Sequence, residues 1–194
     1  AGDIVHWCEG GPLAQIEGYG RVAHVAREGG EVMLTLAGVS QAMPPLAADS
    51  EAVYVGDRWT LKRLSLDATS SQDLASAGFG IVFVATNGSV VAWVEGDPFG
   101  TVRCVPVTGG SVTLLGVLND YPGPIALDGT SAYVVGGLDT IHRFSLSGGG
   151  TLVRMGGLIE DLVSVGGGLC FADIAVNSVS WVSSSGGPAR WLNG

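Results

Sequence analysis

Gly100-Thr101-Val102-Arg103-Cys104-Val105-Pro106-Val107-Thr108-Gly109-Gly110 decides the fold, because it recurs. A second copy reads Asp139-Thr140-Ile141-His142-Arg143-Phe144-Ser145-Leu146-Ser147-Gly148-Gly149. A third runs from Asn177 through Val179 and Trp181 to Gly186-Gly187. An earlier one runs from Gly20 through Val22 and His24 to Gly29-Gly30, and a weaker one spans Thr60 to Thr69. The matching apolar positions are Val22, Leu61, Val102, Ile141 and Val179, spaced 39, 41, 39 and 38 residues apart. A period that regular marks a repeat architecture.

Working outward, every copy has the same surroundings. An apolar run precedes it: Ile4 to Cys8, Val53 to Val55, Val90 to Val94, Ala132 to Val135 and Leu169 to Ala172. Another follows the Gly pair: Val32 to Leu36, Val112 to Leu115, Leu152 to Met155 and Ala189 to Leu192, with only Leu74-Ala75 in the second copy. A further run opens the unit: Pro45 to Ala48, Ile81 to Ala85, Pro124 to Leu127 and Leu162 to Val165. Four short strands in about 40 residues describe a propeller blade. The runs are continuously apolar, as for strands covered on both faces, where a sandwich would alternate. The Gly pair falls at the hairpin between third and fourth strands, where positive φ is needed.

The expected fold is therefore all-β, a single β-propeller over residues 1–194. It has about five four-stranded antiparallel blades, at 1–42, 43–79, 80–122, 123–160 and 161–194. The chain starts at a second strand and ends on a fourth, so blade 1 is expected to lack its first strand. Either that blade has three strands, or the chain belongs to a longer protein, or a partner completes it.

The second strand carries a family resemblance. Its columns read His6-Trp7-Cys8-Glu9, Tyr54-Val55-Gly56-Asp57, Ala92-Trp93-Val94-Glu95, Tyr133-Val134-Val135-Gly136 and Cys170-Phe171-Ala172-Asp173. This resembles the Tyr-Trp-Thr-Asp strand of YWTD-type propellers, most closely from Ile125 to Gly149. Gly100 to Gly110 is similar to the related bacterial secreted repeats, with Gly-Thr-Val followed by Gly-Gly. The resemblance spans nearly the whole chain and implies the propeller fold. It implies little about function, because such propellers bind very different partners. They usually have six blades, and this chain supplies about five. For the acidic end of the column it implies a structural role, accepting backbone N–H bonds from turns.

Composition narrows the function classes. Eighteen acidic against nine basic residues give a net charge of −9. That argues against nucleic acid, whose phosphates require clustered Lys and Arg, and against an electrostatic membrane anchor. No apolar run approaches the roughly 18–20 residues of a membrane span. Glycine, at 32 of 194 residues, more than doubles its usual share of roughly 7% and signals many tight turns. Arg outnumbers Lys eight to one, which reads as genome composition. No signal peptide is recognised, and a chain beginning Ala1-Gly2-Asp3 suits a mature or trimmed N-terminus.

Cys8, Cys104 and Cys170 lie in apolar runs without metal-type spacing and read as small buried hydrophobes, although a Cys8–Cys170 bridge stays open. Glu9, Asp57, Glu95 and Asp173 occupy equivalent blade positions, too far apart to share one metal ion. His6 and His24 read as structural strand residues, and no Gly-x-Ser-x-Gly elbow, HExxH or P-loop is present. Asp128-Gly129 and Asn87-Gly88 read as turns. Trp7, Trp93 and Trp181 fall in strand columns and are expected in the core. Trp59 is the main contact candidate, beside Asp57 and Arg58 in the loop between second and third strands. The equivalent loops, Gly10 to Tyr19 and Gly96 to Gly100, add Tyr19 and Phe99 on the same rim.

These readings converge on a non-catalytic binding module with no cofactor, metal or catalytic residue, located outside the cytoplasm in an extracellular or periplasmic, bacterial setting. A protein partner is expected, in the role of scaffold or accessory subunit. The alternative is a lectin-like module that binds a glycan through Trp59. A propeller lyase or hydrolase is disfavoured, because the first strands expected to line a channel are almost wholly apolar.

Overall fold

The computed structural model describes residues 4–10, 20–26, 28–31, 33–39, 44–66, 70–96 and 99–192. Every regular element among them is a β-strand, and every sheet is antiparallel between sequential neighbours. The fold is a β-propeller; the described residues form five sheets, the first with three strands and the others with four.

Blade 1 comprises β1 (Ile4–Gly10), β2 (Gly20–Ala26) and β3 (Met33–Val39). Blade 2 comprises β4 (Leu46–Ala48), β5 (Ala52–Asp57), β6 (Thr60–Ser65) and β7 (Ser71–Ser76). Blade 3 comprises β8 (Ile81–Thr86), β9 (Val90–Glu95), β10 (Thr101–Pro106) and β11 (Thr113–Val117). Blade 4 comprises β12 (Pro122–Leu127), β13 (Ser131–Gly136), β14 (Thr140–Ser145) and β15 (Gly150–Met155). Blade 5 comprises β16 (Ile159–Val165), β17 (Gly168–Asp173), β18 (Ser178–Ser183) and β19 (Arg190–Trp191). Each strand expected from the repeat is found, and blade 1 lacks its first strand among the described residues. Two compact units form, Ala1–Val91 with Val105–Ser111 and Ala92–Cys104 with Val112–Gly194.

Strand alternation gives each blade two faces. In blade 4 the register pairs Tyr133 with Arg143 and Val135 with Ile141, on what we term the forward face. It pairs Val134 with His142 and Ala132 with Phe144 on the rear face. Within the second unit the forward face of blade 4 (Ala126, Tyr133, Val135, Ile141) closes one core with the rear face of blade 5 (Leu162, Leu169, Phe171, Val182). Within the first unit Val22 of blade 1 packs on Val53, Val55 and Leu64 of blade 2. This forward-to-rear packing explains why β5, β9 and β13 are buried along nearly their whole length. Burying each such aliphatic side chain contributes about 1.5–3 kcal/mol. The outermost strands β7 and β11 bury only scattered residues; β7 is correspondingly polar, whereas β11 leaves Leu114 and Val117 exposed.

The glycine pairs sit where the repeat requires them. At the β14–β15 hairpin Gly148 has φ 101° and Gly149 φ 87°. The hairpin closes by Gly148 N–H donating to the Ser145 carbonyl at 2.9 Å and Ser145 N–H to the Gly149 carbonyl at 2.8 Å. Gly116 is required by close approach instead, since a Cβ there would run into the Phe144 ring.

Cys104 is buried and Cys170 half-buried, and both carry free thiols, which does not support a Cys8–Cys170 bridge. The side chain of Cys8 lies outside the described residues. Of the tryptophans expected in the core, Trp93 is fully buried, but Trp7 and Trp181 are only half-buried. Trp181 lies over Gly168, whose missing side chain makes room for the indole.

Candidate functional site

Strands alternate in direction, so loops between second and third strands leave each sheet at the same end as the connections between blades. Hairpins between first and second, and third and fourth, strands leave at the other end. The two ends differ in chemistry.

In the second unit, the end carrying the blade connections presents apolar side chains. Phe99, Leu138, Ile174 and Val176 stand exposed on loops between second and third strands, and Tyr121 and Leu158 on blade connections. Tyr121 is the most open, at 80%. Backbone hydrogen bonds tie these loops together: Leu118 N–H to Gly100 O at 2.7 Å, Gly137 N–H to Tyr121 O at 2.9 Å, Ile159 N–H to Leu138 O at 2.7 Å, and Ile174 N–H to Leu158 O at 2.9 Å. Leu138 holds φ 73°, a left-handed conformation that costs a branched residue about 1–2 kcal/mol, and Asn177, a residue that adopts it more readily, holds φ 49°. Asp173 Oδ1 accepts the N–H groups of Leu158 and Ala175, both at 3.1 Å. The apolar residues therefore ride on a fixed backbone.

In the first unit, the same end of blade 2 brings together Asp57, Arg58 and Trp59. Trp59 is 52% exposed. The Arg58 guanidinium lies 4.1 Å from its ring centroid, a contact worth about 0.5–1 kcal/mol when exposed. Arg58 has φ 55°, and its carbonyl accepts Ile81 N–H at 2.6 Å, as the Leu138 carbonyl accepts Ile159 N–H. Asp57 is half-buried, and its Oδ2 lies 3.9 Å from Lys62 Nζ. Phe79 stands exposed on the connection to blade 3. Of the candidate residues, Asp57, Arg58 and Trp59 are neighbours, Phe99 belongs to the other unit, and Tyr19 lies outside the described residues.

The opposite end is built from polar turns. Asp128 Oδ1 accepts the N–H groups of Thr130 and Ser131, each at 2.7 Å, and Oδ2 accepts the Tyr133 hydroxyl at 2.6 Å. Asp49 repeats this with Glu51, Ala52 and Tyr54. Asn87 Oδ1 accepts Ser89 and Val90 N–H at 3.0 Å. Burial opposes ionisation of Asp128, but the bonds from Tyr133, Thr130 and Ser131 outweigh it and hold the carboxyl below its ordinary value. Burial, reinforced by Asp49, pushes the Tyr54 hydroxyl up to about 12.

The acidic column divides. Asp173 caps turn N–H groups as expected. Glu95 is buried and engaged by side chains, accepting Trp93 Nε1–H at 3.1 Å and Arg103 Nε–H at 2.9 Å. A buried charge persists only when paired, and the Arg103 guanidinium supplies the opposite charge. The side chain of Glu9 lies outside the described residues. His6 and His24 are cross-strand partners with ring centroids 5.3 Å apart. Burial and the His24 charge lower the His6 pKa. Burial also lowers that of His142, opposed by Asp120. No group of three or more His, Cys, Asp or Glu suited to a metal ion occurs among the described residues. No helix there is long and apolar enough to cross a membrane.

Sequence reasoning missed the apolar set beyond Phe99. The signal was present: Tyr121, Leu138, Leu158 and Ile174 sit between strands, where turns ordinarily carry polar residues.

No protein-family model matches the chain, and no curated protein matches it. Solved structures do. A nidogen/laminin complex contains a chain similar at TM-score 0.71 with 15% identity, covering 90% of this chain and 71% of that one. The computationally designed Ika4 protein is similar at TM-score 0.60 with 16% identity, covering 72% and 89%. A protein assigned as TolB from Agrobacterium tumefaciens is similar at TM-score 0.61 with 16% identity, covering 84% and 66%. At such identities the likeness shows the propeller fold alone.

Proposed function

We propose that this chain is a non-catalytic, protein-binding propeller, related to the YWTD-like propellers and working outside the cytoplasm as a scaffold or accessory subunit. The observation that carries the proposal is the contrast between the two ends of the second unit. One end exposes Phe99, Tyr121, Leu138, Leu158, Ile174 and Val176 on hydrogen-bonded loops. The other is made of the Asp128-Gly129-Thr130 turn and hairpins rich in Ser and Gly, with Val112 and Val165 the exposed apolar residues there. Exposed apolar and aromatic patches with a fixed backbone are what protein recognition uses. The proposal is supported further by the buried acidic groups. Glu95 and Asp173 are engaged by side-chain and turn donors, an arrangement that holds structure and leaves no free carboxylate at those positions for general acid–base work.

The exposed Trp59 ring favours a second reading, a glycan-stacking site. Arg58 covers one face of that ring and leaves the other for a sugar. A photo-crosslinking residue at Tyr121 decides the matter in the native source. Protein adducts from position 121, and none from position 130 at the opposite end, are the expected result. Equal labelling from both positions sinks the proposal. Glycan-array binding that disappears on Trp59→Ala replaces it with the carbohydrate reading.

A further inference from the structure

Exposed negative charge in the second unit collects at one end. The described side chains of that unit include four exposed carboxylates, Asp120, Asp139, Glu160 and Asp161. Asp120 lies on the connection between β11 and β12, Asp139 on the loop between β13 and β14, and Glu160 and Asp161 at the start of β16. All four therefore stand at the end that carries the apolar loops. The other carboxylates described in the unit are engaged. Glu95 is held by Trp93 and Arg103, and Asp173 by the N–H groups of Leu158 and Ala175. The opposite end shows only Asp128, half-buried and consumed by its own turn.

These carboxylates are interleaved with the apolar contacts. Asp120 precedes Tyr121, and its Oδ1 accepts Tyr121 N–H at 2.8 Å. The same carboxylate lies against Gly137, where a Cβ would run into it. Asp139 follows Leu138, and its Oδ1 accepts Thr140 Oγ1–H at 2.9 Å. Glu160 stands two residues beyond Leu158. The charges of Asp120 and Asp139 are thus fixed beside the side chains they flank. No cation offsets them. None of the four carboxylates meets a Lys or Arg among the described residues. The segments 96–100, 118–121, 137–139, 156–158 and 174–177 contain neither residue. An apolar surface rimmed by one sign of charge repels a partner of the same sign and complements one that brings cations.

We propose that the partner segment seated on Phe99, Tyr121, Leu138 and Leu158 carries Lys or Arg beside its own apolar side chains. This rests on the reading of that end as the protein-binding surface and adds the chemistry of the partner. The apolar side chains supply contact area. The cations reach Asp120, Asp139 and Glu160, set the orientation of the segment and discriminate against acidic partners.

Display of short random peptides against the full chain tests this, with every peptide that Tyr121→Ser still binds set aside. The peptides that depend on Tyr121 are expected to carry Lys or Arg next to aromatic or aliphatic residues. Their affinity for the parent is expected to fall more than about tenfold from low to high salt. It is expected to fall about two- to fivefold for each of Asp120→Asn, Asp139→Asn and Glu160→Gln. These exchanges keep side-chain size and an oxygen acceptor, so each variant is expected to keep the melting temperature of the parent. Tyr121-dependent peptides that lack Lys and Arg, or that bind equally well in high salt and to the three neutralised variants, overturn the partner chemistry and leave the apolar end as a binding surface. A display that yields no Tyr121-dependent peptide removes that surface, and the partner chemistry with it.

Discussion

Asp128 organises its turn through both carboxylate oxygens, one on two backbone N–H groups and the other on the buried Tyr133 hydroxyl. Asp128→Ala strands that hydroxyl and both turn donors, so a loss of about 2–3 kcal/mol is expected in urea denaturation at pH 7. The pH dependence follows from the lowered carboxyl. A folded value below the unfolded one of about 3.9 means that the stabilisation is fully present above that value. It is lost as pH falls through the folded value. The parent protein is expected to lose this contribution below about pH 4, while Asp128→Asn, less stable at neutral pH, lacks that part of the acid limb. Equal acid limbs in the two proteins contradict the assignment. The Asp128-Gly129 turn was legible from its dipeptide alone. The bond to Tyr133 was not, because it depends on how far strand β13 carries the ring back over the turn. Glu95 shows the same limit: its column was readable, but its partners Trp93 and Arg103 are set by register.

The elements themselves were almost entirely legible, because each strand is a short apolar run punctuated by glycine or a polar turn. The β14–β15 hairpin shows the cause. Gly149 has φ 87° and no heavy atom within 4 Å of where a Cβ would stand. Its requirement for glycine is thus conformational, and Gly149→Ala is expected to cost about 1 kcal/mol or more despite the open space. Thermal melting checks this, and an unchanged midpoint refutes it. Blade 2 marks the boundary of legibility. Its fourth strand β7 carries Ser71, Gln72 and Asp73 where other blades are apolar, yet it pairs with β6 along its length, with one register shift between Leu61 and Lys62. Backbone hydrogen bonding and the single buried Leu74 hold it where hydrophobicity gives little signal.

At the scale of the molecule, one column of the repeat passes from core to surface. Ile141 and Val179 are equivalent by sequence, but Ile141 is buried and Val179 is 47% exposed. Ile141→Ala is expected to cost about 2–5 kcal/mol, whereas Val179→Ala should stay within about 0.5 kcal/mol, the usual range for surface sites. Chemical denaturation of both variants gives the comparison. Similar losses at the two positions would show that blade 5 is covered as the others are. The apolar loop end follows the same logic. Phe99 was readable as a candidate, yet Tyr121, Leu138 and Leu158 became a surface only when the alternation of strands brought their loops to one end of the second unit.

The sequence by itself determined the period, the strand positions and the glycine hairpins. These are local properties: apolar runs, backbone freedom and spacing act over a few residues. Tertiary structure alone decided which copies of an identical column are buried, which carboxylates are consumed by distant side chains, and which loops share an end. Those outcomes depend on what lies across a face or over a turn, and a repeat unit reads the same in sequence whether or not a neighbour covers it.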